Sequence, residues 1–408
     1  MSSHQLLNAE PTPYGDGPSS ISFEPQSSLH LLIAIGLGLT TGGFVSVVSH
    51  VAHLFVPSLV ILGFLLVRPR IFGGLDARWM VFGTLLLLSS LVSATFAEEL
   101  GTRSWGFAVF STVPVLGFAL TPVKRMLGFA EVYFLVAAIA MCAWTAAYYA
   151  LVAEEFGPWQ LSAASGSGNL YGAHLNMLWP MLLGFAMGSP RVWRRRLLYA
   201  TAIGCIVSAC LSFSRVAVAT TAGLGALILF RRRPLRFVVL AALSVWVVLF
   251  TCWDSMLSLL RLYRLADFEA QYPRGDIWAY AWERAAEVWV LGTGPGGAPR
   301  ALSDMEMYHA HNSILNTLLE SGIVPAILMV GLTLYLGVVG VRSILRGGSA
   351  LCFGCGILSY LAYSVVATPI SRPELTLTLV LVVCACRYQL SERRGSLQPM
   401  MPPGASTC

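Results

Sequence analysis

The sequence contains few charged residues for its length. Only 11% of its 408 residues are Asp, Glu, Lys or Arg, whereas 56% are hydrophobic and the mean hydropathy is +0.71. Soluble domains carry roughly a quarter charged residues, so this composition excludes an ordinary soluble globule and predicts a polytopic membrane protein. In such a protein the formal net charge of +6 reflects membrane topology, and we expect no nucleic-acid partner.

The glycine-rich stretch LGTGPGG at 291–297 lacks the features of a nucleotide-binding loop. Its Lys-Ser/Thr pair is missing, and it does not stand between a strand and a helix, as a phosphate-binding loop requires. The pattern favours a tight turn. Backbone N–H groups that face an anion are the alternative interpretation.

Metal-binding patterns are weak. Cys352 and Cys355 have zinc-like spacing but lie one helical turn apart in an apolar run, where small core residues are the simpler interpretation. His309 and His311 form a His-x-His pair, yet no helical Glu-x-x-His pattern accompanies them. We therefore expect neither a metal nor a cofactor.

About twelve apolar stretches are long enough to cross a bilayer, so the sequence predicts an all-α polytopic membrane protein with a large loop on the exterior side. The stretches lie near 31–48, 51–67, 79–96, 104–121, 128–150, 172–189, 197–213, 216–230, 236–252, 312–341, 350–369 and 373–387. The predicted parts are a disordered cytoplasmic tail (1–28), the first helices (29–252), the loop (253–311), the last helices (312–390) and a second cytoplasmic tail (391–408). The stretch 312–341 is too long for one crossing and is expected to begin as a helical extension outside the hydrocarbon.

Basic residues alternate between the loops as the positive-inside rule requires. With the amino terminus in the cytoplasm, 18 of the 26 Lys and Arg residues fall on the cytoplasmic side. The remaining eight face outward: Arg103, Arg215, Arg261, Arg264, Arg274, Arg284, Arg300 and Arg372. The alternation predicts that both chain ends are cytoplasmic.

The outward arginines need a further explanation, because the topological bias opposes them. For Arg261, Arg264 and Arg372, contact with headgroup phosphates is the favoured interpretation. Arg215 and Arg274 have polar neighbours and indicate organised anion sites, since guanidinium binds phosphate in a bidentate manner. Several such residues beside a membrane indicate a lipid-linked diphosphate.

A helix is predicted at 276–290 within the loop. Trp278, Trp282, Ala285 and Trp289 are expected on one of its faces, with charged residues elsewhere. Tryptophan prefers the headgroup level of a bilayer. The helix therefore either lies flat on the outer leaflet or packs as a cap on the bundle.

Polar groups are concentrated in HAHNSILNTLLES, residues 309–321. Asn312, Asn316 and Glu320 recur every four residues and form one helical stripe, which is expected to face the bundle interior or a water-filled cavity. His311 has three interpretations: a metal ligand, a structural histidine or a base for a hydroxyl proton. The base is favoured, because histidine titrates near neutral pH.

Four blocks resemble the O-antigen ligase/polymerase superfamily. HAHNSILNTLLESGIVPAIL resembles its signature, in which a His-Asn pair is followed by Leu, Glu and Gly-Ile. YPRGDIWAYAWERAAEVWVLGTGPGG resembles its upstream Arg, Trp and Gly-x-Gly block, SGSGNLYGAHLNMLWP its Gly-Asn…Pro segment, and SFSRVAVA its Ser-Arg helix start. WVL replaces the usual hydrophobic-Pro before the turn, and Pro325 replaces a small residue. Neither departure removes a chemical group.

The resemblance implies a metal-independent, inverting glycosyltransferase in the bacterial inner membrane, with its active site facing the periplasm. Its partners would be a donor glycan on undecaprenyl diphosphate, a lipid A-core or glycan acceptor, and membrane lipids. We expect His311 to act as the base and Arg215 and Arg274 to neutralise the leaving diphosphate. The residues expected to bind substrate are Asn312, Asn169, Glu320, Arg300 and His309, although Glu320 has capping or pairing with an arginine as an equal alternative.

Four functions fit the pattern. The first is an O-antigen ligase that moves glycan from the carrier to lipid A-core. The second is a polymerase that uses a second carrier-linked glycan as acceptor, and the third is a protein O-oligosaccharyltransferase. A lipid-linked glycan transporter is the fourth, and it is disfavoured because the polar groups cluster on one face rather than at the midplane.

Overall fold

The computed structural model describes residues 28–41, 50–67, 72–97, 102–151, 168–212, 214–234, 274–305, 307, 309–369 and 372–396. The predicted tails lie almost wholly outside the described residues. So do the predicted span at 236–252 and the part of the predicted loop at 253–273.

The described chain is built almost entirely of helices. The α-helices are α1 (Ser28–Leu39), α2 (His50–Val67), α3 (Ala77–Thr95), α4 (Thr102–Thr112), α5 (Lys124–Leu151), α6 (Gly168–Gly188), α7 (Val192–Leu211), α8 (Arg215–Arg232), α9 (Arg274–Glu287), α10 (Ala298–Ala301), α11 (Ser313–Ser321), α12 (Ile323–Arg346), α13 (Gly348–Val366) and α14 (Pro373–Ser396). Short 3-10 helices lie at Val113–Ala119 and Ser303–Met305. Two short strands, β1 (Phe72–Leu75) and β2 (Leu120–Pro122), pair antiparallel.

The predicted span at 104–121 is not one continuous α-helix. It consists of α4, the 3-10 helix and the start of β2. Pro114 lacks a backbone N–H and disfavours the α conformation at Val113, so α4 ends at Thr112. Leu120 of β2 then pairs with Leu75 of β1, which joins this segment to the start of α3.

Five helices of the described chain are long and apolar enough to cross a membrane. They are α3, α5, α12, α13 and the Glu374–Ser391 part of α14. The protein is therefore a helical membrane protein, as its composition predicts. The total of about twelve crossings and the periplasmic placement of the large loop stay predictions.

The centre of the bundle lies where α6 packs against α13. Gly184 of α6 lies against the ring of Phe353, so closely that a Cβ at position 184 would overlap it. Phe353 is fully buried. Small residues at such contacts let membrane helices approach closely, and this contact therefore contributes to the van der Waals packing of the bundle.

Asn176 of α6 connects three helices through its carboxamide. Its Nδ2 donates to the carbonyl of Ala217 in α8 (2.9 Å) and to the hydroxyl of Tyr363 in α13 (3.1 Å). Its Oδ1 accepts from Trp179 Nε1 (3.0 Å) and Thr221 Oγ1 (2.6 Å). All four hydrogen-bonding positions of this buried amide are used, so it holds α6, α8 and α13 in one arrangement.

Basic side chains gather at one end of the bundle. Arg194 at the start of α7 pairs with Glu131 of α5, and Arg387 of α14 pairs with Asp76 (3.3 Å) just before α3. Arg231 at the end of α8 donates to a carbonyl in the last turn of α12 (3.2 Å). The positive-inside pattern assigns all three arginines to cytoplasmic loops, and the fold brings those loops together.

Candidate functional site

The opposite end of the bundle carries the histidine segment, residues 309–312, which leads into α11. Asn312 is the N-cap of α11, and its Oδ1 accepts from the backbone N–H groups of Ile314 (3.0 Å) and Leu315 (3.1 Å). Asparagine satisfies the otherwise unpaired N–H groups of a first turn in this way. Its carboxamide oxygen is thus occupied by the cap, and binding of substrate through the amide nitrogen stays a prediction.

His311 has an uncommon backbone conformation. Its φ is 50°, and within the described residues it is the only non-glycine residue with positive φ. This left-handed conformation costs an L-residue about 1–2 kcal/mol and persists only where the surrounding structure holds it. The imidazole lies edge-on to that of His309, with 4.3 Å between ring centroids.

A buried asparagine holds the histidine segment in place. The Oδ1 of Asn316 accepts from the backbone N–H of Ala310 at 3.1 Å, and both residues are buried. Ser313 also donates from Oγ to the carbonyl of Ala367 at the end of α13 (3.3 Å). The two bonds fix the segment on either side of His311.

Glu320 is half-buried in the last turn of α11, facing the glycine-rich turn. Its carboxylate accepts from the backbone N–H groups of Gly296 and Ala298 (3.4 Å to Ala298) and from the side chain of Asn316. Burial raises the pKa of Glu320 to about 7, and these three hydrogen bonds partly offset the rise. The alternative interpretation of the glycine-rich turn is that its backbone N–H groups face an anion. In the structure the group that they face is the carboxyl of Glu320, from the same chain.

The stretch 291–297 forms the predicted tight turn. Gly292, Gly294 and Gly296 have φ values of 72°, 90° and 81°, which favour glycine. Thr293 donates from its backbone N–H to the carbonyl of Leu319 (2.9 Å). The turn thus packs directly on the last turn of α11.

Gly322 lies between α11 and α12 and packs closely against another segment of the chain. Gly322 has φ 82° and lies so close to the carbonyl of Val290 that a Cβ would overlap it. The next residue, Ile323, donates from its N–H to the carbonyl of Trp289 (2.8 Å). The chain therefore breaks at Gly322, and the predicted long stretch 312–341 is two helices.

The polar stripe of α11 faces loop segments of its own chain and not the interior of the membrane bundle. Asn312, Asn316 and Glu320 each accept backbone N–H groups, as described above. Its hydrogen-bonding groups hold the histidine segment and the glycine turn together. Direct binding of sugar by the stripe stays a prediction.

Arg215 and Asn169 lie together at this end of the bundle. Ser214 is the N-cap of α8: its Oγ accepts from the N–H of Ala217 (3.2 Å) and donates to Oδ1 of Asn169 (2.8 Å). Arg215 follows as the first residue of α8 and is exposed. The serine thus brings the predicted sugar contact beside the predicted phosphate contact.

The last turn of α13 joins the Arg215 region to the histidine segment. Tyr363 accepts from Asn176, whose amide also binds Ala217, two residues after Arg215. One turn later, Ala367 accepts from Ser313, two residues after His311. Arg215 and His311 therefore flank the same end of one helix.

The structure gives fewer contacts for the other predicted site residues, Arg274, Arg300 and His309. Arg274 begins α9, and its side chain lies outside the described part of the structure. Arg300 is exposed on α10. Burial, together with the nearby charge of Arg372, lowers the pKa of His309, which favours its neutral form. The sequence favoured headgroup contact for Arg372 and offered no signal that it approaches His309.

Arg284, another outward arginine, is engaged within the loop. Its Nη2 lies 2.9 Å from Asp304 and its Nη1 3.2 Å from Glu287, while its Nε donates to Tyr280 (2.9 Å). Hydrogen bonds from Tyr280 and Arg284 lower the pKa of Asp304. Within the described residues, no three His, Cys, Asp or Glu side chains are arranged to hold a metal.

The prediction of a helix at 276–290 with Trp278, Trp282, Ala285 and Trp289 on one face is partly wrong, because α9 ends at Glu287, before Trp289. Ala285 is buried with Ile277 and Ala281, whereas Trp282 and Trp289 are more than half exposed. Positions 277, 281 and 285 follow the helical repeat, and Ala281 and Ala285 lie with Leu318 and Leu319 of α11 in a small core. The helix therefore packs on α11 through small residues and leaves tryptophans outward.

The described residues form a helical membrane bundle with one basic end and one end that carries His, Asn and Arg side chains. Residues 200–330 match the family model described as O-antigen ligase. This match covers about a third of the chain, includes three of the four sequence blocks, and supports the predicted resemblance to the O-antigen ligase/polymerase superfamily. No curated protein matches the chain.

Proposed function

We propose that this protein is an O-antigen ligase-type glycosyltransferase of the bacterial inner membrane. It moves a glycan from undecaprenyl diphosphate to a lipid A-core acceptor on the periplasmic face. The family match carries the proposal, because residues 200–330 include Arg215, Arg274, His311, Asn312 and Glu320. The shared placement of Arg215 and His311 at one end of α13 supports it.

His311 acts as the base in this proposal. Its imidazole accepts the proton of the acceptor hydroxyl as the hydroxyl oxygen attacks the anomeric carbon. The bond from that carbon to the diphosphate oxygen breaks, and undecaprenyl diphosphate leaves with the bonding electrons. A single displacement of this kind inverts the anomeric configuration. The hydrogen bonds of Asn316 and Ser313 support this role, because they hold the segment that carries His311.

Arg215 and Arg274 neutralise the charge that grows on the leaving diphosphate. The exposed position of Arg215 at the start of α8 supports this role, since a membrane-embedded carrier has to reach the guanidinium from outside the packed core. The N-terminal end of α8 adds a favourable dipole for an anion. Asn169, held beside Arg215 by Ser214, orients the sugar.

Complementation tests the proposal. The chain is expressed in a strain that lacks its O-antigen ligase, and lipopolysaccharide is examined on a gel. His311→Asn is the informative variant, because asparagine tolerates a left-handed backbone whereas alanine adds strain. We expect the ladder of glycan-bearing lipopolysaccharide with the wild-type chain. We expect no ladder with H311N when the two proteins are present in the membrane in equal amounts. A wild-type ladder with H311N excludes His311 as the base.

Two further variants test the diphosphate site. Arg215→Lys keeps the charge but loses the bidentate fork, so we expect a strong loss of ladder. Arg231→Lys makes the same change at the opposite end of α8 and is expected to be tolerated. A well-inserted wild-type chain that gives no ladder, but lengthens carrier-linked glycan in vesicles, is a polymerase instead.

A further inference from the structure

We infer that Glu320 is a positioning residue whose carboxylate ties the glycine turn and α10 to the histidine segment. Through these ties it sets the placement of Arg300 relative to His311. The inference rests on the proposed function, because it assigns a role within the same site. It differs from the expected sugar contact, since here Glu320 acts on the chain and not on the substrate.

The first tie runs from Glu320 to α10. Its carboxylate accepts from the N–H of Ala298, the first residue of α10, at 3.4 Å, and the backbone of Gly296 just before it also lowers the pKa of the carboxyl. Ala298 is fully buried, so water cannot replace the carboxylate as the partner of this N–H. Arg300 lies two residues further on the same short helix, and its backbone therefore moves with Ala298.

The second tie runs from Glu320 to His311. The side chain of Asn316 lies one helical turn before Glu320 and lowers the pKa of the Glu320 carboxyl, and its Oδ1 accepts the N–H of Ala310 at 3.1 Å. Asn316 is buried, and its two ends are matched to these two partners. The carboxylate fixes which way the amide points, and the amide holds Ala310 next to the left-handed His311.

The hydrogen-bond count favours positioning over substrate contact. An ionised carboxylate has about four acceptor positions. The N–H of Ala298 takes one of those on Glu320 (3.4 Å), and interactions with Gly296 and Asn316 of the same chain also lower its pKa. The donors come from two separate segments, so removal of the carboxylate frees both at once.

An exchange of acid and amide tests the inference. In Glu320→Gln the new side-chain NH2 group would face the NH2 group of Asn316. Both groups are hydrogen-bond donors, so the side chain cannot keep its interactions with both Asn316 and Ala298. In the double variant E320Q/N316D the Gln amide donates to the Asp carboxylate, which still accepts the Ala310 N–H. The oxygen of the Gln side chain accepts from Ala298. The double variant therefore rebuilds both ties without a carboxylate at position 320.

Transfer is measured in membrane vesicles with lipid-linked donor. We expect E320Q to lower kcat about 10- to 100-fold, as a misplaced catalytic group does, with KM changed much less. We expect E320Q/N316D to recover most of that loss. Glu283→Gln, the same change at an exposed position of α9, is the matched control and should behave as wild type.

Hydrogen exchange of the purified protein provides a readout that does not depend on transfer. Peptides covering 291–301 and 309–316 should exchange faster in E320Q and return to the wild-type rate in the double variant. If the chain proves to catalyse another reaction, this measurement still tests the two ties. Unchanged exchange in E320Q overturns the inference, whatever the activity.

The double variant also shows whether Glu320 positions other parts of the chain or acts directly on the substrate. If Glu320 touches the sugar or moves a proton, E320Q/N316D stays as impaired as E320Q, and the inference is wrong. If E320Q fails to accumulate in the membrane, recovery of inserted protein by the double variant supports the ties. A double variant that also fails to accumulate overturns them.

Discussion

Ser214 donates a hydrogen bond from its Oγ to the carboxamide oxygen of Asn169, at 2.8 Å. The same hydroxyl accepts from the N–H of Ala217 and so caps α8. One side chain thus sets both the start of the helix that carries Arg215 and the orientation of Asn169. The two predicted substrate contacts depend on each other through it.

Replacement of Ser214 tests this dependence. Ser214→Ala removes the cap and the partner of Asn169, so we expect about 1 kcal/mol lower stability, the usual cost of a lost cap. Transfer should fall further than that loss of stability explains, because Arg215 and Asn169 are no longer aligned. Ser214→Thr keeps both hydrogen bonds and should retain activity. Equal transfer by S214A and S214T in vesicles would contradict the alignment.

The break between α11 and α12 depends on glycine. Gly322→Ala places a Cβ against the Val290 carbonyl at φ 82°, so we expect a loss of at least about 1–3 kcal/mol and much less inserted protein. Gly331→Ala, in the interior of α12 with no atom within 4 Å of the added Cβ, is the control. It should be neutral or stabilising by up to about 1 kcal/mol. Thermal unfolding in detergent measures both.

The pH dependence of stability reports the buried state of Glu320. Burial raises its pKa from 4.5 to about 7, so over this range the folded protein holds a proton that the unfolded chain has released. The contribution of Glu320 to folding is therefore most favourable below pH 4.5, declines as the pH rises to about 7, and is constant above.

The comparison with E320Q isolates this contribution. His309, whose pKa burial lowers, gives a slope of opposite sign, so both proteins are compared in a background that carries His309→Gln. Unfolding temperatures are measured for wild type and E320Q over a pH series. A difference that stays flat between pH 4.5 and 7 would contradict a buried carboxyl at position 320.

The pair Arg194–Glu131 at the basic end is a structural element. Both side chains are nearly buried, with 11% and 5% of their surface exposed. Glu131→Leu removes the carboxylate partner of a nearly buried guanidinium, and we expect a loss of about 3–5 kcal/mol. The double variant E131L/R194M removes both charges and should recover most of it. Denaturant titration in detergent measures the stability of the three proteins, which should rank wild type, then the double variant, then E131L. A double variant less stable than E131L would refute this ranking.

Much of the fold follows from the order of residues. Apolar length predicts the membrane helices, and the excess length of 312–341 predicts a helical extension outside the hydrocarbon, which the structure separates from α12 at Gly322. Glycines at 292, 294 and 296 predict a turn, because other residues avoid positive φ. Pro114 could have predicted the end of α4, but the apolar run around it hides the change to a 3-10 helix.

The face of α9 shows where periodicity alone is insufficient. Two stripes, one of tryptophans and one through Ile277, Ala281 and Ala285, run side by side along the helix. Hydrophobicity favours the tryptophan stripe. The structure buries the other, because small residues let α9 approach Leu318 and Leu319 of α11.

The sequence by itself determined the class of protein, the polar segment before α11 and the family signature, because these depend on composition and local spacing. Tertiary structure alone decided what the polar groups contact. Glu320 accepts from Ala298, Ser214 donates to Asn169, and Ser313 donates to Ala367. Each of these contacts joins segments that are distant in the chain. A hydrogen bond of this kind depends on how the helices pack, and no local pattern of residues encodes that packing.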